Sequence, residues 1–244
     1  MENVLKLKSK SIYKDINMLE IIYPLSFDSA IFNRLCFRII PTNADQVKGA
    51  VEKYLNQLNI FIDTKIDASD KELDNLLQKL GFRKVCMQIQ LSLPRSHYLT
   101  DPSAVEPLSV LQMNNIDIHS HCNNFLFDRF SLDPRIPKLQ RDNLYTTWIK
   151  NTLSNPSILK VSRGNNFISF KKNLDSLKLD LTSVLDKERG IGSALLKDIQ
   201  AYAKQHDFKK IEVITETENI AAVKFYLKNG FEVDCFYSCF HYIN

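Results

Sequence analysis

The sequence predicts a mixed α/β (α+β) protein, and three observations predict it. Segments of alternating polarity, long enough for strands, take turns with segments whose apolar residues recur at helical spacing. Glycines stand where those helices should stop, and 44% of the 244 residues are hydrophobic, which suits a packed core.

Taken in order, residues 35–40 read as a strand, 43–58 as a helix and 60–66 as a strand. Ser69 is expected to cap the next helix, with Glu72 three residues on as in a capping box, and Gly81 to end it. Residues 82–93 follow as a strand. The polar stretch 94–107 holds Pro94, Pro102 and Pro107. It divides the chain into a smaller N-terminal α/β domain, residues 1–100, and a second domain, residues 101–244. In the second, 109–125 and 139–153 are helical by period, while 157–163, 166–172 and 177–185 are strand-like. Then come a strand at 211–215, a helix at 219–228, a stop at Gly230 and a strand from Phe231. The order strand, helix, Gly-Phe, strand thus occurs twice. Two related halves, the first a degenerate copy, would explain it, and so would the ordinariness of strand–helix–strand units.

Composition narrows the function classes. Residues 1–15 mix Lys and Ser with single apolar residues, unlike a secretory signal, and nowhere do eighteen apolar residues run together, so a cytoplasmic protein without a membrane span is expected. Five scattered cysteines (Cys36, Cys86, Cys122, Cys235, Cys239) show no paired ligand spacing, so reduced thiols and no metal are expected. A formal charge of +4 without an aromatic-interleaved basic stripe gives nucleic-acid binding little support.

Two motifs carry chemistry. In the first, a half-buried strand alternates Leu177, Leu179, Leu181 and Ser183 with polar residues and runs through Val184, Leu185, Asp186, Lys187, Glu188, Arg189, Gly190, Ile191, Gly192 and Ser193 into a helix. Gly190 and Gly192 would let the backbone approach a diphosphate, and the unpaired amides and positive dipole end of the helix favour anionic oxygens. Lys187 and Arg189 could add charge. Alone the pattern is weak, because tight turns and helix packing also need glycine. It fits neither a Walker loop nor the dinucleotide fingerprint. The second motif is Asn219, Ala222, Phe225, Tyr226, Gly230 and Phe231, one helix and one strand further on.

Together the motifs resemble the GNAT superfamily of acyl-CoA N-acyltransferases, whose signature, Gln/Arg-x-x-Gly-x-Gly/Ala, falls on Lys187 to Gly192. The resemblance implies a mostly antiparallel mixed sheet flanked by helices, and acetyl-CoA as co-substrate. It implies that the amides from Arg189 to Ser193, Gly190 and Ile191 included, bind the pyrophosphate. The strand edge at Ser183, Val184 and Leu185 would pair with the pantetheine arm, and Asn219 would bond that arm or hold splayed strands. Tyr226 would stand near the sulfur, where a hydroxyl can serve the departing thiolate. Lys187 departs from the usual Arg or Gln, and the turn 184–190 is shorter than is common.

The segment 125–137, rich in Arg, Asp and aromatics, and the single Trp148 with Leu144 and Tyr145, are where such a protein would shape its acceptor site. This pattern is similar to that of the dTDP-4-amino-4,6-dideoxygalactose (dTDP-fucosamine) N-acetyltransferases, which also have a Leu-Gly-Phe step like Leu80, Gly81 and Phe82. The similarity implies a sugar-nucleotide amine as partner, with Arg129 and Arg135 on the diphosphate and Phe130 and Trp148 on base or sugar. Pairing of Arg129 with Asp128 or Asp133, merely to order the loop, stays open. So does the proton acceptor, for which Glu216, Glu218 and His119 are candidates beside ordered water. Two alternatives stand: acetylation of a protein N-terminus or other small amine, and non-catalytic acyl-CoA binding. Whether the chain forms a homodimer is not decided by the sequence.

Overall fold

The structure is a computed structural model and describes residues 21–55, 57–98, 116–187 and 189–244. The N-terminal stretch 1–15, the first part of the helix expected at 109–125 and the division near residue 100 lie outside the described residues, wholly or in part.

The elements run β1 (Ile22–Pro24), α1 (Ser26–Phe32), β2 (Leu35–Ile39), α2 (Ala44–Glu52), β3 (Ile60–Asp67), α3 (Lys71–Lys79), β4 (Arg83–Pro94), α4 (Ile118–Cys122) and α5 (Lys138–Ser154). Then follow β5 (Leu159–Arg163), β6 (Asn166–Asn173), β7 (Ser176–Ser183), α6 (Ile191–Gln205), β8 (Lys210–Glu216), α7 (Ile220–Lys228) and β9 (Glu232–Ile243). Among the described residues the strands form one nine-stranded sheet in the order β1-β2-β3-β9-β4-β8-β7-β6-β5. Only β2·β3 and β7·β8 are parallel. The sheet is mixed and largely antiparallel with helices on both faces, as expected.

Two local readings need correction, and two elements were not read at all. The cap of α3 is Asp70, whose side chain accepts from the Leu73 amide, while the Ser69 hydroxyl donates to Asp67. A carboxylate in the Ncap position displaces the serine, which is used one residue earlier in an Asp67 turn. The helix from Asn43 ends at Glu52, short of residue 58. β1 and α1 carried too little pattern to be read: three residues ending in Pro24, then a seven-residue helix with no side-chain cap.

Strand alternation sorts the faces. On one face Ile62, Ile66 and Phe240 pack under α2 and α3. The same face continues into Leu91, Leu93, Ile211 and Val213, packed under α6 and α7. On the other, Phe61, Phe167 and Leu181 meet α1, α4 and α5 through Phe32, Leu144, Tyr145 and Ile149. Each such apolar side chain, fully buried, contributes roughly 1.5–3 kcal/mol.

The doubled sequence order is a doubled structure. Gly81 and Gly230 stand 149 residues apart, and the correspondence holds contact by contact at that shift. Asp70 caps α3 as Asn219 caps α7, each accepting from the amide three residues on. Gly81 (φ 88) and Gly230 (φ 85) end those helices, with Phe82 N–H bonded to Leu77 O and Phe231 N–H to Tyr226 O. Ala68 N–H meets Phe236 O as Thr217 N–H meets Met87 O. The β3·β9 register repeats in β8·β4, and the two irregularities of β4·β9, at Lys84/Cys86 and Gln90/Leu91, also correspond. A pseudo-two-fold axis passes through the Gln88↔Tyr237 pair. Each half gives its last strand to the other: β4 lies beside β8, and β9 beside β3.

Candidate active site

The halves differ where β7 meets β8. β2 and β3 stay paired from Leu35↔Ile60 to Ile39↔Thr64. β7 and β8 pair only from Ser176↔Lys210 to Lys178↔Glu212. Just beyond, Asp180 and Leu181 together oppose the single residue Ser169 of β6, whose hydroxyl accepts from Leu181 N–H at 3.0 Å. Such a bulge bends the strand and increases its twist, and here β7 turns away from its partner. Residues 179–183 and 213–216 therefore face each other as unpaired strand edges, opening a slot with main-chain donors and acceptors on its walls.

The slot leads to the turn before α6. Asn166, fully buried, accepts from the amides of Leu185 (2.8 Å) and Asp186 (3.2 Å) and donates to the Asp186 carboxylate (2.9 Å), which pins the turn to β6. Gly190, at φ 74 with open space where a Cβ would stand, is the Ncap of α6 and has no side chain to satisfy the first amides. A fifteen-residue helix thus presents its positive end to the turn. Arg189 is three-quarters exposed and lies 3.7 Å from Asp186; the Lys187 amide bonds Leu185 O. Gly192 is there for packing: a Cβ would come within 3.0 Å of the Phe225 ring. Its smallness lets α6 close on α7, a role different from approach to a diphosphate.

Tyr226 crosses the slot from α7. Its buried hydroxyl donates to Thr182 Oγ1 on β7 at 3.0 Å. Burial pushes its pKa up to about 12, against the opposing effect of the Thr182 hydrogen bond, so the phenol keeps its proton at neutral pH. Phe225 and Phe231 hold the ring at centroid distances of 5.1 and 5.3 Å. Asn219 spends its side-chain oxygen on the α7 cap.

Ser183 is committed elsewhere. Asn165 Oδ1 accepts from Asp117 N–H, so it must also accept from His121 Nε2 (3.2 Å); that puts the proton on Nε2 and leaves Nδ1 to accept from Ser183 Oγ at 2.7 Å. Burial lowers the His121 pKa, consistent with a neutral ring. Asn124 also donates to Ser183 Oγ and toward Val184 O. These contacts anchor the end of β7 to α4 and leave Ser183 and Val184 to act through their backbone, whereas Leu185 has its amide on Asn166 and its carbonyl on the Lys187 amide.

Over the opposite face of the sheet lies the 125–137 loop. Its two arginines are engaged by carboxylates. Arg129 reaches Asp63 at 3.3 Å and also lies over the Phe130 ring at 4.4 Å; Arg38 bonds the same carboxylate. Burial alone would raise the Asp63 pKa, but Arg129, then Arg38 and His241, outweigh it and hold the carboxyl well below its usual range. Arg135 forms a two-point contact with Asp133 (2.9 and 2.8 Å), which also accepts from His241 Nδ1 (2.9 Å). Phe130 is core, packed on Phe32 and Phe61. Trp148 is half-buried and continues a stack of Phe125, Tyr145 and Trp148. Arg129 is thus paired neither with Asp128 nor with Asp133; its partner comes from β3, a contact that no local spacing could announce. Asp128 instead accepts from the amides of Phe130 and Ser131.

Of the three candidate proton acceptors, His119 and Glu218 are exposed, and Glu218 accepts from Thr217. Glu216 is nine-tenths buried and accepts from Gln88 Nε2 at 2.9 Å. Burial raises its pKa, against the effects of Gln88 and Arg129. Asn166, Thr182, His121 and Gln88 were not read from the sequence. Each acts on a residue of another element, and a lone polar residue in a strand or one-turn helix carries no distinguishing spacing.

Comparison with known proteins bears on the same region. The acetyltransferase (GNAT) family model matches residues 187–231, which hold the turn, α6, β8 and α7. The uncharacterized protein YxbD of Bacillus subtilis (strain 168) is 38% identical over 56 residues, or 23% of this chain and 35% of that protein. The matched segment is thus about a third of that relative's length. A functionally unknown conserved protein from Staphylococcus epidermidis ATCC 12228 is similar over 98% of each chain, with a TM-score of 0.58 and 15% identity. The GCN5-related N-acetyltransferase of Kribbella flavida covers 92% of this chain and 88% of its own, with a TM-score of 0.58 and 11% identity. That of Sphaerobacter thermophilus covers 91% and 76%, with a TM-score of 0.54 and 13% identity. At such identities the likeness is one of fold, shared with these GCN5-related N-acetyltransferase structures.

Proposed function

We propose that the chain is an acyl-CoA-dependent N-acetyltransferase. The observation that carries this reading is the parting of β7 from β8 at the bulge, beside an α6 terminus with unsatisfied amides and under the hydroxyl of Tyr226. The exposed edge of β7 suits an amide-rich pantetheine arm, which can take up strand hydrogen bonds, and the helix terminus suits the pyrophosphate. A neutral amine attacks the thioester carbon, a backbone N–H of β7 meets the developing oxyanion, and the C–S bond breaks. Tyr226 stands for the leaving sulfur. A thiol titrates near about 8.5, so full transfer from a hydroxyl near 12 is uphill by roughly 5 kcal/mol. Its role is therefore to donate a hydrogen bond to the thiolate as charge develops.

The sugar-nucleotide amine implied by the resemblance needs cations for a diphosphate. Arg129 and Arg135 are held by Asp63 and Asp133, so support for that acceptor rests on the Phe125, Tyr145 and Trp148 stack alone. The test offers acetyl-CoA with dTDP-4-amino-4,6-dideoxyhexoses, a peptide with a free N-terminus and small alkylamines, and follows thiol release. Turnover with at least one amine is expected. Acetyl-CoA binding by calorimetry without turnover on any amine would leave a non-catalytic binding protein, and absence of binding would sink the reading.

A further inference from the structure

We infer that Glu216 is the proton acceptor for the incoming amine and that Gln88, contributed by the N-terminal half, is the residue that positions it. The inference rests on the acetyltransferase reading and adds the group on the acceptor side of the slot.

Placement is the first argument. Along β8, Ile211 and Val213 belong to the cluster under α6 and α7, the side from which Tyr226 enters. Glu216 alternates with them and faces the other way, over the face where α5 and the 125–137 loop lie. It follows Thr215 at the end of β8, four residues past Glu212, the last residue paired with β7. A thioester threaded between the strands would thus have Tyr226 on one side and Glu216 on the other. This division lets the leaving sulfur and the attacking nitrogen be served by different groups.

Charge is the second. Facing Glu216 are Asp128 and Arg129 from the loop, Tyr145 from α5, and Gln88 and Cys86 from β4. Arg129 is committed to Asp63, and Asp128 gives one oxygen, Oδ1, to the amides of its own turn. Tyr145, buried beside Asp128 and Glu216, stays protonated. The Glu216 carboxylate accepts from a neutral amide, Gln88 Nε2, in register opposite it on β4. A neutral donor fixes the orientation of a carboxylate while depressing its basicity less than a paired arginine would. Burial then lifts its proton affinity toward the range useful for a base.

The step balances. The ammonium gives one proton to the Glu216 carboxylate; the freed lone pair forms the C–N bond as the C–S bond breaks. The thiolate leaves and is protonated from solvent after Tyr226 has stabilised it; the acylated nitrogen gives up its second proton to solvent, and the Glu216 proton also returns to solvent. Acetyl-CoA and an ammonium become an amide, a free thiol and one proton.

Two probes of similar size separate the roles. Methylamine is protonated near neutrality, and hydroxylamine is neutral. With wild-type protein, thiol release above the uncatalysed background is expected with both. Glu216→Gln should lower kcat/KM for methylamine about 100-fold or more while changing that for hydroxylamine less than about 3-fold. Gln88→Leu, which removes a bond that favours the charged carboxylate, should move the acidic limb of the methylamine profile to higher pH. Equal losses with both amines would assign Glu216 a structural role and overturn the proposal, as would an unchanged methylamine rate. Wild-type protein that binds acetyl-CoA but acylates neither these two amines nor any acceptor of the panel above would instead remove the acetyltransferase reading, and the proposal with it.

Discussion

Tyr226 shows how one side chain can serve both fold and chemistry. Its ring is core between Phe225 and Phe231, and its hydroxyl is the polar contact from α7 to the bent part of β7. Tyr226→Phe keeps the packing and removes only the hydroxyl. The expected result is a fall in kcat of roughly 10- to 100-fold with KM little changed, since the lost hydrogen bond forms in the transition state. An unchanged kcat would exclude the tyrosine from the mechanism. Tyr226 and Gly190 were legible because each belongs to a spaced motif. Thr182, which accepts the tyrosine hydrogen bond, was not, because a threonine in an alternating strand looks the same whether or not a hydroxyl reaches it. Arg129 and Arg135 looked like anion ligands for a related reason: a charged side chain states its charge but not its partner, and here the partners are carboxylates.

At the scale of elements, glycine placement separates helix stops from an interior helix position. Gly81 and Gly230 terminate α3 and α7 at φ 88 and 85, and an added Cβ would touch Tyr242 or Leu93 at 3.4 Å in each case. Gly81→Ala and Gly230→Ala should each destabilise by about 1–2 kcal/mol, the cost of forcing an L side chain into the left-handed region. Gly49 lies inside α2 with nothing within 4 Å of an added Cβ, so Gly49→Ala should stabilise by about 0.5–1 kcal/mol. Urea unfolding midpoints of the three variants check the signs, and a stabilising change at Gly81 or Gly230 would contradict the shared-stop reading. The bulge in β7 belongs to this scale too. The alternating pattern at 177–183 identified a strand, but not the extra residue within it, because a bulge changes pairing without changing composition.

For the whole molecule, the exchange of last strands governs stability. β9 is the final strand in sequence, yet both its neighbours, β3 and β4, come from the first hundred residues. The proposed division at residue 100 therefore separates two chain segments that share one sheet. A fragment of residues 101–244 would leave β9 with two unpaired edges and is expected to lack a cooperative unfolding transition by circular dichroism. Mixing it with residues 1–100 should restore the transition. A fragment 101–244 that folds alone would establish an independent domain instead.

The sequence by itself determined what depends on neighbours a few residues apart: the mixed α/β class, most strands and helices, the helix stops, the glycine turn and the order of the two motifs. Those follow from periods of two and 3.6 residues and from the backbone freedom of glycine, which are local properties. Only the tertiary structure decided that β7 parts from β8, that Gly192 serves packing, that Asp63 and Asp133 hold the arginines, and that Gln88 meets Glu216. Each of these is a contact between distant segments, set by how strands align across the sheet. Side-chain chemistry names the groups that can pair, and only the register of the folded chain selects which of them do.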